Sequence, residues 1–393
     1  MSSGVSRGPE VSTLRLKVLM DPREEGWPSM DLVGEALVDG LAAFPSEVAV
    51  TRVRPSIPQA VRTLPRVGSR KAAFNADRLL TRFGLYPARL LRERVGHDAF
   101  HVVDHTYAQL VHALPAERTG VFCHDLDAFR SVLEPHREPR PTWFRLMARA
   151  TLKGLERAAV VFHSTQQVRD ELLTHGVVPP ERLVWAPYGV SPEYQLAPVP
   201  GDASDAVLAP LKGRPYLLHV GSAIRRKRLD VLFETFAALR TRHPDLMLVQ
   251  QGGELDAAQQ AQVARLGLKG ALLQPPRQER ATLAGLYRRA RAVLVPSDAE
   301  GFGLPVIEAL ACGVPVVASD LPVLREVGAD ACTYCPVGDV AAWAEAVDAS
   351  LTGRVPAPSP ETRRARAARF TWSAHARTVL DAYLHRLDRP GRV

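Results

Sequence analysis

Short apolar runs recur along this chain, with room for one helix between neighbours. LRLKVLM (14–20), EVAVTRV (47–53), AFHVVDH (99–105), GVFCHD (120–125), AAVVFHS (158–164) and RLVWAPYG (182–189) form a first series. Polar or helix-patterned sequence follows each, including an amphipathic segment from Asp31 to Phe44. Residues 191–215 are proline-rich without periodicity and read as a linker. The pattern then restarts with PYLLHVGS (215–222), DLMLVQQGG (245–253), GALLQP (270–275), RAVLVPS (291–297), VPVVASD (314–320) and ACTYCP (331–336). Helical patterns run from Leu229 to Thr241 and from Thr282 to Ala290, and an Arg- and Ala-rich helical region extends to about Leu387. Parallel neighbours need a crossover connection, so this alternation predicts β-α-β units. At 393 residues the chain exceeds one ordinary core. The fold class is therefore α/β, with two Rossmann-like, doubly wound parallel-sheet domains facing across a cleft. The expected boundaries are 1–200, 201–375 and a C-terminal helix at 376–393 that packs back on the N-terminal domain. In such sheets ligands bind beyond the carboxyl ends of the strands.

Composition narrows the class. Apolar residues at 46% and charged residues at 23% describe a folded chain rather than a disordered one. No run approaches the roughly 20 apolar residues needed to span a bilayer, and the first residues carry no secretory pattern. Cys123 and Cys312 sit in apolar segments, and Cys332 and Cys335 form a C-x-x-C without a second ligand pair. They read as buried thiols, which suits the cytoplasm. The net charge of +8 is uneven, because residues 62–94 hold Arg62, Arg66, Arg70, Lys71, Arg78, Arg82, Arg89, Arg92 and Arg94 against only Asp77 and Glu93. A solvated helix face explains such a run, and so does peripheral contact with the anionic inner face of a membrane. Few aromatic residues accompany it and no nucleic-acid-binding signature is present, so no nucleic-acid partner is expected.

The chemistry concentrates in PSDAEGFGLPVIEAL (296–310). Val293–Pro296 reads as a strand end, Ser297–Gly303 as a loop, and Pro305 as the opening of a helix that Gly313 stops. Gly301 and Gly303 leave free N–H groups open at the helix start, a place suited to phosphate. Glu300 and Glu308 flank that place. Carboxylates beside a phosphate suit neutral hydroxyls as partners, which fits a nucleotide diphosphate sugar. The plain alternative is a strand-turn-helix connection with two ordinary surface acids.

EGFGLPVIEALACGVPVVASD resembles the donor-site motif of retaining glycosyltransferases of family 4, which have the GT-B fold, and Glu300 and Glu308 match its paired-acid spacing. HVGSAIRRKRLDVLFETFAAL (219–239) and LGLKGALLQPPRQERATLAGLYRRARAVLVPS (266–297) extend the resemblance through the second half. EEGWPSMDLVGEAL (24–37) and HVVDHTYAQL with GVFCHD (101–125) extend it into the first half. The resemblance implies that Glu308 accepts ribose hydroxyls, and that Glu300 binds the transferred sugar beside the N–H groups of Gly301, Phe302 and Gly303, with Leu304 adjoining. It implies that Arg226 and Lys227, following Gly221, neutralise the diphosphate, and that His124 faces the donor sugar. Asp104, Asp125, Gly26 and Ser29 fall on the acceptor side, Ser29 being a candidate N-cap as well.

The chain departs from the family at Tyr188-Gly189-Val190, where asparagine is common, and at Gln274-Pro275-Pro276-Arg277. No Asp-x-Asp motif occupies a suitable loop, so no metal and no cofactor is expected. The expected reaction moves a hexose, of mannose or glucose type, from a GDP- or UDP-linked donor to a glycan, lipid-linked or small-molecule acceptor with retention. The rivals are a nucleotide-sugar epimerase or a sugar phosphorylase on the same fold, or a catalytically silent sugar-nucleotide-binding protein.

Overall fold

Both series of apolar runs form sheets. The computed structural model describes residues 13–63 and 70–387. The chain divides into one unit made of the residues up to Pro187 together with the segment from Trp372, and a second unit from Tyr188 to Thr371.

The first unit holds β1 (Leu14–Leu19), β2 (Val48–Val53), β3 (Ala99–Val102), β4 (Thr119–Cys123), β5 (Val160–His163) and β6 (Leu183–Trp185). They pair in the order β2-β1-β3-β4-β5-β6, with Leu16 opposite both Val50 and Ala99. All six strands run parallel. Parallel strands are covered on both faces, which is why these runs are continuously apolar rather than alternating. Strand order reverses between β1 and β3, so the loops after them flank the crevice of this sheet. Helix Pro28–Leu41 follows β1, with Trp27 at its N-cap and Pro28 in its first turn. Ser29 thus lies inside the helix, and no side chain caps it. Helix Trp372–Leu387 belongs to this unit. Its Arg377 forks onto Glu47 at 2.8 and 2.9 Å, and its Tyr383 hydroxyl donates to the Phe100 carbonyl at 2.9 Å.

The second unit holds β7 (Tyr216–Val220), β8 (Met247–Gln251), β9 (Leu272–Leu273), β10 (Ala292–Val295), β11 (Val316–Ser319) and β12 (Thr333–Cys335). Their order is β12-β11-β10-β7-β8-β9, so the reversal falls between β7 and β10. The segment read as a linker is ordered in part. Helix Ser204–Leu208 and the turn Ala209–Leu211 lie within it, and Ser204 and Leu211 are buried. Asp202 pairs with Arg288 at 2.6 Å, a contact 86 positions away that local composition does not reveal. No helix among the described residues is long and apolar enough to cross a membrane. Cys123, Cys312, Cys332 and Cys335 are free and buried.

Candidate active site

The two loops that leave β7 and β10, at the reversal point of the second sheet, are tied to each other. After β7 the chain passes Gly221 and tightens into the turn Arg225–Lys227. After β10 it passes Pro296 and reaches Glu300 through an extended loop. The Asp298 N–H donates to the Arg226 carbonyl at 2.9 Å, fixing one loop on the other. Side chains complete the join. Lys227 Nζ donates to Glu300 Oε1 at 2.6 Å, and Ser297 Oγ to the same oxygen at 2.7 Å. Arg226 reaches Glu300 Oε2 at 3.3 Å and the Ala299 carbonyl at 2.9 Å. The Glu300 side chain is 5% exposed, and that of Lys227 10%. Burial opposes the charge on Glu300, but Lys227 and Arg226 outweigh it and hold the carboxyl below its usual range. The result is a charged carboxylate inside a cationic bracket.

Beneath the bracket, His219 on β7 gives Nδ1 to the Leu294 carbonyl at 2.9 Å, and burial pushes its pKa down to about 4. The imidazole is therefore neutral, so it adds no charge under Lys227. Arg228 is turned away into a pair with Asp230 at 2.9 Å, and this separates it from Arg226 and Lys227.

Helix Leu304–Ala311 begins directly behind this loop. Gly303 adopts φ 95°, and a Cβ there would stand 2.8 Å from Leu324 Cδ2. Only glycine meets both demands at low cost. Phe302 is buried, its ring 4.8 Å from Tyr188 and 5.7 Å edge-on to Phe370. The tyrosine where the family often has asparagine thus packs on the loop. Gly301 and Leu304 are half-buried beside it. Glu308, one turn into the helix, is buried, and accepts from the Tyr287 hydroxyl at 2.8 Å. Burial lifts its pKa to about 7, against the hydrogen bonds of Tyr287 and Tyr194. Gln274, from the departing loop, donates to Gln250 Oε1 at 2.9 Å.

In the first unit, Asp104 and His124 lie beyond the ends of β3 and β4 and are buried, and Asp125 is partly open. His124 Nε2 donates to the Val103 carbonyl at 2.8 Å while its ring stacks on Phe122 at 4.9 Å. Burial brings its pKa down to about 4. With its one N–H spent on the backbone, the other ring nitrogen can only accept. His105 stands 3.3 Å from Asp104 and 3.5 Å from Asp125. These two aspartates raise its pKa in spite of burial. Asp104, His105 and His124 bring ligand-type atoms within 4.8 Å of one another. The His105 Nδ1 also accepts from the His124 backbone N–H at 3.3 Å. Asp21, beyond β1, is buried against Asp104, and burial and that neighbour keep it protonated well above the usual carboxyl range.

The structure thus gathers Gly221, Arg226, Lys227 and Glu300 into one bracket, with Gly301–Leu304 and Glu308 on the adjoining helix start. Gly26, at φ 73°, closes the turn Arg23–Glu25 and is exposed, as is Ser29. Neither takes part in the cluster of Asp104, His105, His124 and Asp125. Sequence reading missed Ser297, Tyr287, Tyr194 and Asp21. Ser297 lies inside the quoted motif and was within reach, whereas Tyr287 and Tyr194 meet Glu308 in the second unit, and Asp21 meets Asp104 in the first, through tertiary contact alone.

The chain matches the family model for glycosyl transferases group 1 over residues 202–369. A D-inositol 3-phosphate glycosyltransferase of Frankia alni is 33% identical over 333 residues, covering 77% of this chain and 79% of that protein. The O-antigen chain mannosyltransferase B of Escherichia coli is 28% identical over 278 residues, covering 68% and 70%. Among solved structures, sucrose-phosphate synthase from Thermosynechococcus elongatus superposes with a TM-score of 0.70 at 20% identity, over 95% of this chain and 98% of that one. Anabaena HepE in complex with UDP-glucose gives 0.69 at 16% identity, over 95% and 99%. Two six-stranded parallel sheets, the loops joined at Glu300 and these likenesses agree: this chain belongs to the group 1 glycosyl transferases and has their GT-B fold.

Proposed function

We propose that this glycosyltransferase moves a hexose from a GDP- or UDP-linked donor to a glycan, lipid-linked or small-molecule acceptor, with retention at the anomeric carbon. The observation that carries the reading is the buried Glu300 carboxylate bracketed by Lys227, Arg226 and Ser297 at the sheet's reversal point. Hydroxyls of the transferred sugar would be received by Glu300. The departing diphosphate gains negative charge, and Lys227 and Arg226 stand ready to offset it. Glu308 would accept the ribose hydroxyls, and the helix start at Gly301–Leu304 would supply N–H groups to phosphate. On this reading the acceptor hydroxyl attacks from the face that the diphosphate leaves, and its proton passes to a phosphate oxygen. No side chain need act as a strong base, which suits the neutral His124. The UDP-glucose bound to HepE is in keeping with a donor of this class.

Neither metal nor cofactor is called for, because Arg226 and Lys227 take the charge-neutralising role. A lipid-linked acceptor brings contact with an anionic membrane at the cytoplasmic face, to which Lys71, Arg92 and Arg94 of residues 62–94 would contribute. The test is a panel of UDP-, GDP-, ADP- and dTDP-sugars assayed for nucleotide release and thermal shift, with the product anomer read by NMR. One nucleotide sugar should stand out, and Glu300→Gln and Lys227→Ala should each lower kcat/KM by about 100-fold or more. Wild-type turnover in both variants would remove the assignment.

A further inference from the structure

We propose that the outward stripe of helix Thr142–Arg157 is the face on which this enzyme rests against an anionic lipid surface. The helix buries Ala148, Thr151, Leu152, Gly154 and Leu155 in the first unit. Gly154 lets it seat closely, since a Cβ there would stand 2.0 Å from the Ala108 carbonyl oxygen. What faces outward is unusual for a helix so firmly packed. Trp143 is 59% exposed and Leu146 58%, one turn apart. Arg149 and Lys153 continue the exposed side and form no ion pair with any described residue. At 1.5 Å per residue the stripe from Trp143 to Lys153 is about 15 Å long.

Charge selects the partner. From Arg137 to Arg157 there are six cations (Arg137, Arg140, Arg145, Arg149, Lys153, Arg157) and two carboxylates (Glu138, Glu156). Arg137 is already paired with Glu134 and Arg140 with Glu138, which leaves Arg145, Arg149, Lys153 and Arg157 against Glu156. An exposed indole suits the headgroup level of a bilayer, leucine the acyl boundary, and unpaired cations the anionic headgroups. In the basic run at 62–94 four cations are spent within the unit, which leaves Lys71, Arg92 and Arg94 to supplement this face. Arg62 pairs with Asp77, Arg78 with Glu25 and Arg89 with Glu93, and Arg82 stacks on the Tyr107 ring. Arg66 and the side chain of Arg70 lie outside the described residues.

This extends the lipid-acceptor reading, but it is measured without a transfer assay, so the two fail separately. The full chain is co-sedimented with phosphatidylcholine vesicles with and without phosphatidylglycerol, at low and high salt. Binding is expected only with phosphatidylglycerol, and salt should release it. Arg149→Gln with Lys153→Gln should weaken binding about 30-fold, the effect of two surface cations. Trp143→Ala with Leu146→Ala should weaken it about tenfold or more. Melting temperature and nucleotide release from soluble donor should be unchanged in both. Wild-type protein that ignores phosphatidylglycerol, or double variants that bind as wild type does, overturns the proposal.

Discussion

Glu300 and Glu308 are the same residue type eight positions apart, yet their surroundings drive them to opposite states. Glu300 meets two cations and a hydroxyl and stays charged. Glu308 meets two tyrosine hydroxyls in a buried setting and has a pKa of about 7. For Glu308 the folded value lies above the ordinary 4.5, so the native state holds the proton more tightly than the unfolded chain. Stability attached to that proton is full below 4.5 and is lost as pH rises through about 7. Ligand binding runs the other way, since ribose hydroxyls donate best to a carboxylate. Donor affinity measured by calorimetry should fall about tenfold between pH 8 and pH 6, following one ionisation. Glu308→Gln should flatten that profile, and Tyr287→Phe should move its midpoint upward by removing a hydroxyl that favours the charged form. A profile unchanged in Glu308→Gln would assign the titration elsewhere. The paired acids were legible from spacing, but their divergence was not, because Tyr287, Tyr194 and Lys227 reach them only through the fold.

Among elements, the strands were the most legible, and for a physical reason. A parallel strand covered on both faces must be apolar along its length, so its run is visible without partners. Among the described residues each of the twelve strands falls on one of the apolar runs, with only β4 starting one residue ahead, at Thr119. Residues 202–211 misled, because proline marks turns but says nothing of a distant partner such as Arg288. Ser29 misled similarly, since Pro28 takes the helix start and shifts the cap to Trp27. Two glycines test how tightly the elements are set. Gly303→Ala should cost about 1–2 kcal/mol from its left-handed backbone, with the Leu324 contact adding to it, and should weaken donor binding. Gly154→Ala should cost at least about 1–3 kcal/mol, because the atom it meets is backbone and cannot rotate away. Urea midpoints measure both, and a Gly154→Ala midpoint equal to wild type would show that the helix can withdraw freely.

At the scale of the whole molecule, one unit is continuous in sequence and the other is not. Tyr188–Thr371 should fold as an isolated fragment with a cooperative melt. A chain ending at Thr371 loses helix Trp372–Leu387, and with it buried Tyr383, His375 and the Arg377–Glu47 pair. Its first unit should melt well below that of the full chain, and calorimetry that shows the unit's transition unmoved would contradict this assignment of the helix. Sequence by itself determined that the chain makes two parallel sheets, and which loop holds paired acids beside a helix start. Those properties are written in local periodicity and in residue types at fixed spacing. Tertiary structure decided that Lys227 and Arg226, rather than Arg225 or Arg228, bracket Glu300, and that Glu308 carries a proton near neutrality. Strand order sets the first, because it brings β7 beside β10 and joins residues more than 70 positions apart, and burial of Glu308 beside Tyr287 and Tyr194 sets the second.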